Sequence, residues 1–428
     1  MTLSSHLRLF ISGSLVTIGG NVALGLINYL VRRTMVWRLT ETDFGLFWGT
    51  FSLVTLVCAL ADLGIVNSGT LLFAEKKEEP REIFSAVLLL KLVTGLLAGG
   101  IFFLLRNVIA EHYLGGQDAA MPAFFSLFIL VFLLNGVFDA FYLGHKDYPT
   151  RSFFHCTVSL LLLGLLYFLL NTSSLCGTVA AYTTAYGLLL PVQMQWISRK
   201  NGPLLTCKIS PRVLKNLFSL TGALAVFTGI QTLLFNLDSL MLTLIAGPRM
   251  TAVYNIALPV TQLLLSVLVF AQVFLPIAAD MVRAGESARL KKYIFGALLI
   301  TLAVLPCLFV AAAWCSKFLI TLLFKGSYAD AAAPVLPWLM CGYLLFAFGS
   351  FIAQTLIAMR RIGPLLIVSG ATVVLDFSLM YPFIRSAGAV GAAMATCASY
   401  AFFAIAAFAV FSCGTRRGNA FSKEVSNE

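Results

Sequence analysis

Long apolar stretches separated by short polar breaks run along almost the whole chain of 428 residues. About 20 apolar residues are enough to cross the hydrocarbon core of a bilayer as an α-helix. Hydrophobic residues make up 60% of the sequence and charged residues only 11%, whereas a soluble domain carries about 25% charged residues. The pattern excludes an ordinary soluble protein and predicts an all-α integral membrane protein.

The breaks divide the apolar sequence into about 12 predicted transmembrane helices. Their limits fall at polar clusters or at Gly and Pro, which interrupt regular structure. The predicted spans are 9–39, 45–72, 83–105, 121–143, 153–171, 176–197, 215–245, 251–278, 293–315, 333–357, 362–383 and 387–411. The apolar region of a cleaved signal peptide has about 7–15 residues. The first span is longer, so we expect it to stay in the protein.

The distribution of basic residues predicts the orientation in the membrane. The net charge is +11, and most of the 29 Lys and Arg lie at the termini or in connections that follow an even-numbered span. Cytoplasmic loops of membrane proteins collect Lys and Arg. Both termini are therefore predicted to be cytoplasmic. Topology accounts for the positive charge, so we expect no nucleic-acid partner.

One basic connection lies near the middle of the chain, around 199–215. It predicts an N-terminal six-helix bundle over 1–205, a C-terminal six-helix bundle over 206–412 and a cytoplasmic tail over 413–428. The nine cysteines include no C-x-x-C pair, and the four histidines show no H-E-x-x-H spacing. Because such spacings are typical of metal sites, we expect neither a metal nor a haem.

Three segments carry motifs beyond hydropathy. The first, over 38–70, reads RLTETDFGLFWGTFSLVTLVCALADLGIVNSGT, and the second, over 237–260, reads LDSLMLTLIAGPRMTAVYNIALPV. The third extends over 325–400 and includes MYPFIRSAGAVGAAMATCASY. Together and in this order, they resemble the polysaccharide (O-antigen) flippases of the multidrug/oligosaccharidyl-lipid/polysaccharide exporter superfamily. That family shares an R-L-x-x-x-x-[YF]-G turn, a closing A-D-L-G, and an Asp in the seventh helix.

The resemblance implies a fold and a function. The implied fold has two bundles of six helices around a central cavity. The implied cargo is a polyprenyl-pyrophosphate-linked oligosaccharide, flipped across the cytoplasmic (inner) membrane for polysaccharide biosynthesis. The chain contains no G-x-x-x-x-G-K-[ST] motif for ATP. We therefore expect no enzyme activity and no cofactor, with transport coupled to H⁺ or Na⁺. The expected partners are the lipid-linked substrate, membrane lipids and other polysaccharide-assembly proteins.

Three basic residues within or beside predicted spans are the candidates for binding an anionic substrate: Arg32, Arg33 and Lys91. An ionisable residue inside a span is costly, so it usually faces a cavity or a partner. A pyrophosphate needs less free energy to cross when arginine and lysine line its path. For Arg32 and Arg33 the alternative is that the side chains extend to the outer headgroups.

Three acids are the candidates for ion coupling: Asp62, Asp238 and Asp376. A carboxylate within a span can bind Na⁺ or exchange a proton. For Asp62 a structural role at a helix turn is the alternative. Asp238 matches the family's Asp, whereas Asp376 stands where the family often has Asn. The alternative for these two is an interhelical hydrogen bond or a cap.

A fourth acid, Asp139, lies close to the inner end of its span. We expect it to pair with Lys146 or Arg151. Two other functions remain open at the level of sequence, which are an ion-coupled exporter of drugs or metabolites and a membrane enzyme of polysaccharide assembly.

Overall fold

The computed structural model describes residues 3–75, 77–114, 116, 120–169, 175–206, 209–266, 278, 281, 287–324, 326–359 and 361–425. In this part of the chain all regular structure is helical. The longer helices are α1 (Leu3–Arg38), α2 (Glu41–Asp62), α3 (Ile65–Glu75), α4 (Pro80–Leu104), α6 (Ala120–Gly144), α7 (Tyr148–Leu169), α8 (Leu175–Asn201), α9 (Pro211–Ala246), α10 (Pro248–Ser266), α11 (Ser287–Leu323), α13 (Val335–Ala358) and α14 (Ile362–Val425). Two short α-helices, α5 (Arg106–Val108) and α12 (Ala329–Ala332), a π-helical turn (Ile109–Tyr113) and a 3₁₀ turn (Gly326–Tyr328) complete the set.

Each predicted span coincides with a helix, and the eighth does so over its first part, since 267–277 lies outside the described residues. Nine helices of the described chain are long and apolar enough to cross a membrane. Helix α14 contains two of the predicted spans, which are separated by non-helical backbone at Ala387 and Gly388. Gly388 has φ 55° and ψ −128°, a conformation that essentially only glycine adopts.

The second predicted span, 45–72, is interrupted in the structure. Helix α2 ends at Asp62, and Leu63 follows in the left-handed conformation with φ 49°. Gly64 also has a positive φ, 75°. A left-handed residue commonly ends an α-helix because it turns the chain away from the helix axis. The single span predicted over 45–72 is therefore divided into two helices at the ADLG segment, and α3 begins directly after it.

Two compact units are present, Met1–Ala252 and Val253–Glu428. In the first unit, α4 packs on α6, α1 on α7, α6 on α8, and α2 and α3 on α9. In the second unit, α13 packs on α14 and on α11. The first unit therefore includes α9, and the division near 205 stays a prediction.

The basic connection before α9 is held against the first unit. Leu204 and Val213 are buried in the core that surrounds α3, α4 and α6. The backbone N–H of Thr206 donates to Ser85 Oγ at 2.9 Å. At the start of α9, the Ser210 hydroxyl caps the helix by accepting from the Arg212 N–H at 3.3 Å.

Helix α2 approaches α9 and the first residue of α10 along two glycines, Gly45 and Gly49. A Cβ atom built at Gly45 would lie 1.8 Å from the carbonyl oxygen of Pro248. A Cβ atom built at Gly49 would lie 2.3 Å from Thr243 Oγ1. A small residue every fourth position lets two membrane helices come into backbone contact. This seam fixes α9 against the helix that carries Asp62.

Candidate functional site

A polar cavity of about 330 Å³ lies inside the first unit. It receives side chains from α2, α3, α4, α6, α7, α8 and α9. The polar residues that line it are Thr55, Asp62, Asn67, Lys91, Asn135, Asp139, His155, Tyr186, Gln193 and Thr232. The sequence predicted roles for Asp62, Lys91 and Asp139, and the structure brings these three residues to one cavity.

Lys91 and Asp62 form an ion pair in this cavity. The Lys91 ammonium donates to Asp62 Oδ1, and the two side chains are 1% and 13% exposed. A charge taken out of water costs several kcal/mol unless an opposite charge and further hydrogen bonds compensate for it. The predicted substrate-binding cation and one predicted ion-coupling acid therefore neutralise each other.

The pair is placed by two local features of the sequence. Asp62 is the last residue of α2, where the chain turns into the left-handed conformation. Gly136 of α6 lies beside the lysine, and a Cβ atom at this glycine would be 3.4 Å from Lys91 Nζ. The absence of a side chain at Gly136 leaves room for the ammonium. The pair thus connects α4 to the break between α2 and α3.

A second charged cluster lies around Asp139. Asp139 Oδ1 accepts from Arg151 Nε at 2.7 Å and lies 2.9 Å from His155 Nε2. The two α7 residues are four positions apart, so they share one face of the helix. The predicted pairing with Arg151 is confirmed, while His155 was not foreseen. The sequence shows the Arg-x-x-x-His spacing of Arg151 and His155, but it does not show that both residues contact Asp139 of α6.

Two amide side chains connect α6 to α8 at the cavity wall. Asn135 donates to the backbone carbonyl of Tyr186 at 3.2 Å, and Gln193 donates to Asn135 Oδ1 at 3.1 Å. Asn135 lies one helical turn before Asp139 on α6. Sequence analysis missed both amides, because a single Asn or Gln in an apolar helix has no partner until the helices are packed.

The two predicted substrate-binding arginines lie away from this cavity. The Arg32 guanidinium lies over the ring of Trp48, with its central carbon 3.8 Å from the ring centroid. Such a cation–π contact is favourable where the cation is partly removed from water. Arg33 is exposed and lines a separate groove between α1 and α7. Arg32, Arg33 and Lys91 therefore do not form one cluster.

The other two predicted ion-coupling acids are also apart from the cavity. Asp238 on α9 is 2% exposed, and Asp376 on α14 is fully buried. Asp238 belongs to the first unit and Asp376 to the second. Neither side chain lines the polar cavity.

These features define a class, a multi-pass α-helical membrane protein with paired charges inside its membrane-spanning part. The fold is similar to that of an inward-facing multidrug resistance MATE family transporter of the MOP superfamily, with a TM-score of 0.73 at 16% identity, covering 96% of this chain and 99% of that one. A MATE protein in complex with MaL6 has a TM-score of 0.68 at 17% identity, with 97% and 96% covered. A MOP superfamily transporter from Pyrococcus furiosus Vc1 (DSM3638), described by the reverse polarity of its binding pocket, has a TM-score of 0.69 at 16% identity, with 96% of each chain covered.

The sequence profile of a family described as polysaccharide biosynthesis protein matches residues 37–333. The chain belongs to this family. The predicted fold class and the predicted family are both confirmed. No curated protein matches the chain.

Proposed function

We propose that the protein is a flippase that moves a polyprenyl-pyrophosphate-linked oligosaccharide across the cytoplasmic membrane for polysaccharide biosynthesis. One observation carries the proposal: a profile for polysaccharide biosynthesis proteins matches 37–333 in a chain with the fold of MOP superfamily transporters. Polysaccharide assembly that starts on a lipid carrier in the cytoplasm requires a step that moves the intermediate across the bilayer. A multi-pass transporter fold supplies such a step. We place both termini in the cytoplasm, from the distribution of basic residues.

The polar cavity in the first unit contributes to the conformational cycle rather than to sugar binding. Its volume of about 330 Å³ is at the lower end for a drug-sized ligand, for which pockets span about 300–1,000 Å³. An oligosaccharide is larger. The Lys91–Asp62 pair lies at the break between α2 and α3, where breaking and re-forming the pair would change the position of α3. Lys91 therefore acts on transport through Asp62.

The alternative function is export of drugs or metabolites. It has support from one observation, the multidrug resistance transporter whose fold matches over 96% of this chain. At 16% identity the shared fold does not identify the substrate of this chain, because proteins of one fold have many different functions. The two functions differ in what accumulates inside the cell when the protein is absent.

Deletion of the gene in its host, with no related flippase present, is expected to abolish surface polysaccharide. Lipid-linked repeat units should accumulate on the inner leaflet, measured by extraction and by labelling of intact against permeabilised cells. Complementation with the wild type restores the polymer, and so does Lys77→Ala, which removes a loop ammonium of a 75% exposed side chain. Normal surface polysaccharide in the deletion strain, together with loss of efflux of a fluorescent cation, would instead establish the exporter.

Asp238→Asn tests ion coupling. We propose that the buried carboxylate of Asp238 binds a proton or Na⁺ in one conformation of the cycle, since an ion with equal affinity for two conformations shifts neither. The asparagine keeps the shape of the side chain and removes its charge. The variant should fold normally and lose the dependence of transport on the gradient. This is measured as lipid-linked substrate that moves from the external leaflet of inverted vesicles, which is the cytoplasmic one, to the lumenal leaflet, with and without an imposed H⁺ or Na⁺ gradient.

Asp376→Asn is the matched variant in the second unit, because Asp376 is equally buried. Unchanged gradient dependence in Asp238→Asn would show that Asp238 is a structural polar residue. Loss in Asp376→Asn alone would move the coupling site to the second unit.

A further inference from the structure

Three connections that the distribution of basic residues assigns to the outer side of the membrane meet at one point of the first unit. They are the start of α2, the turn between α4 and α6, and the junction of α9 with α10. Gly45 and Gly49 bring the first of these against the third. The turn contributes Tyr113, whose hydroxyl donates to the backbone carbonyl of Gly49 at 2.9 Å. A side chain of an outer connection therefore reaches the seam between α2 and α9.

The backbone of the turn determines where Tyr113 points. Residues 109–113 form a π-helical turn, after which the Leu114 N–H donates to the Ile109 carbonyl at 3.1 Å. One extra residue in a helical turn rotates the side chains that follow it by about 100° relative to a regular α-helix. Ala110 and Leu114 are buried, so the turn is packed against the unit. Short π-helical turns frequently lie at functional sites.

The same hydroxyl connects the turn to α9. It interacts with the side chain of Thr243, and Thr243 Oγ1 lies 3.0 Å from Thr251 Oγ1 on α10. Thr243 Oγ1 is also 2.3 Å from the place of a Cβ atom at Gly49, so only glycine leaves room for the threonine there. One hydroxyl group of the turn thus contacts α2 and α9 together.

The hydrogen bond between Tyr113 and Gly49 can be broken without damage to α2. Gly49 lies inside α2, where a carbonyl accepts from the N–H four residues later. A carbonyl oxygen has two lone pairs, so the Tyr113 hydroxyl adds a second bond to an oxygen that the helix already uses. The net effect of one such bond on an equilibrium is about 2- to 12-fold. This is enough to bias two conformations and too little to lock one of them.

We propose that Tyr113 is a positioning residue of the transport cycle, which holds the turn, α2 and α9 together at the outer end in one conformation and releases them in the other. A transporter that exposes its cargo to the two sides of a membrane in turn has to open its outer end once per cycle. The contacts of Tyr113 exist only where α2 and α9 touch, so they stabilise the closed conformation alone. The inference rests on the transport part of the proposed function and not on the identity of the cargo.

The test measures the equilibrium between two conformations of the purified protein in detergent, without cargo. Met250 is next to Thr251 and is 41% exposed, so it is replaced by 4-trifluoromethylphenylalanine as a ¹⁹F NMR reporter. We expect two resonances, of which the open one is broadened more strongly by a water-soluble gadolinium chelate. Tyr113→Phe removes only the hydroxyl. It should raise the ratio of open to closed protein about 2- to 12-fold, with both chemical shifts unchanged.

Two further variants make the interpretation specific. Tyr167→Phe removes a hydroxyl from a 59% exposed ring near the outer end of α7, away from the seam, and should leave the ratio unchanged. Thr243→Val replaces the hydroxyl on α9 by a methyl group of similar size. It should raise the ratio in the same direction as Tyr113→Phe, because the contact between Tyr113 and α9 loses its polar partner.

Two results would overturn the proposal. An unchanged ratio in Tyr113→Phe, or a single resonance shared with the parent protein, would show that the hydroxyl favours neither conformation. A resonance that the parent protein lacks would show that Tyr113 only maintains the local structure. Normal surface polysaccharide in the deletion strain would contradict the proposed cargo but would not alter this ratio, so the two proposals fail separately.

Discussion

Lys91→Met is expected to destabilise the protein by about 3 kcal/mol and to abolish transport. Methionine is an unbranched side chain one atom shorter than lysine and carries no charge, which leaves Asp62 without the ammonium that it contacts. Removing one partner of a buried ion pair costs about 3–5 kcal/mol, because the remaining charge is poorly solvated. We expect the lower end, since the Asp62 side chain is 13% exposed. Thermal unfolding of the purified variant in detergent measures the change.

The double variant Lys91→Met, Asp62→Asn separates stability from function. With both charges removed, no uncompensated charge remains, so much of the lost stability should return. Transport should stay absent if breaking and re-forming the pair is part of the cycle. A double variant that transports at the wild-type rate would show that the pair only holds the helices together. Lys77→Met is the surface control, because its pair with Glu75 is exposed and such pairs contribute at most about 1 kcal/mol.

The sequence predicted the spans well because each helix of this chain carries its own signal. A run of about 20 apolar residues specifies a span without reference to any other part of the protein. The turn after Asp62 was considered only as an alternative role for that residue, because the apolar sequence continues beyond Leu63 and Gly64 and was assigned to one span over 45–72. Contacts between residues of different helices could not be predicted from the sequence. The Lys91–Asp62 pair joins residues 29 positions apart on separate helices, and their contact depends on how those helices rotate and shift when they pack.

Sequence analysis gave separate roles to two charged residues, Lys91 and Asp62, that pair with each other in the structure. Sequence analysis placed Lys91 with the substrate and Asp62 with the coupling ion, because each was considered as a single charge inside a span. The structure makes them one neutral pair at 1% and 13% exposure. Conversely, Arg32 and Arg33 were grouped because they are adjacent in sequence. Adjacent residues on a helix point about 100° apart, which is why one lies over Trp48 and the other in the α1–α7 groove.

The contact at Gly45 and Gly49 corresponds to a sequence pattern that the sequence analysis did not use. Two glycines four positions apart in an apolar helix indicate a close helix contact. The spacing does not identify the opposite helix. In the structure α9 occupies that place through Thr243, and the start of α10 does so through Pro248. The seam therefore joins the predicted N-terminal bundle to the helix that carries Asp238.

Gly45→Ala is expected to destabilise the protein strongly for a single added methyl group. The new Cβ atom would lie 1.8 Å from the carbonyl oxygen of Pro248 and 2.6 Å from its carbonyl carbon. Both atoms belong to the backbone, so no side-chain rotation relieves the overlap, and the start of α10 has to move away from α2. Overpacking typically costs about 1–3 kcal/mol and occasionally more, and we expect about 3 kcal/mol here. The melting temperature of the purified protein is the measurement.

Two further glycine-to-alanine variants test how the loss of stability depends on the atoms that the new methyl group contacts. Gly49→Ala should cost less than Gly45→Ala, because Thr243 Oγ1, at 2.3 Å from the added atom, can rotate away. That rotation breaks the 3.0 Å hydrogen bond between Thr243 and Thr251. Gly100→Ala meets nothing within 4 Å and should be neutral or stabilising by about 0.5–1 kcal/mol, as alanine favours a helix over glycine. A Gly45→Ala protein that unfolds at the same temperature as Gly100→Ala would mean that the start of α10 is not packed against α2 at Gly45, since no smaller adjustment removes a backbone overlap of this size.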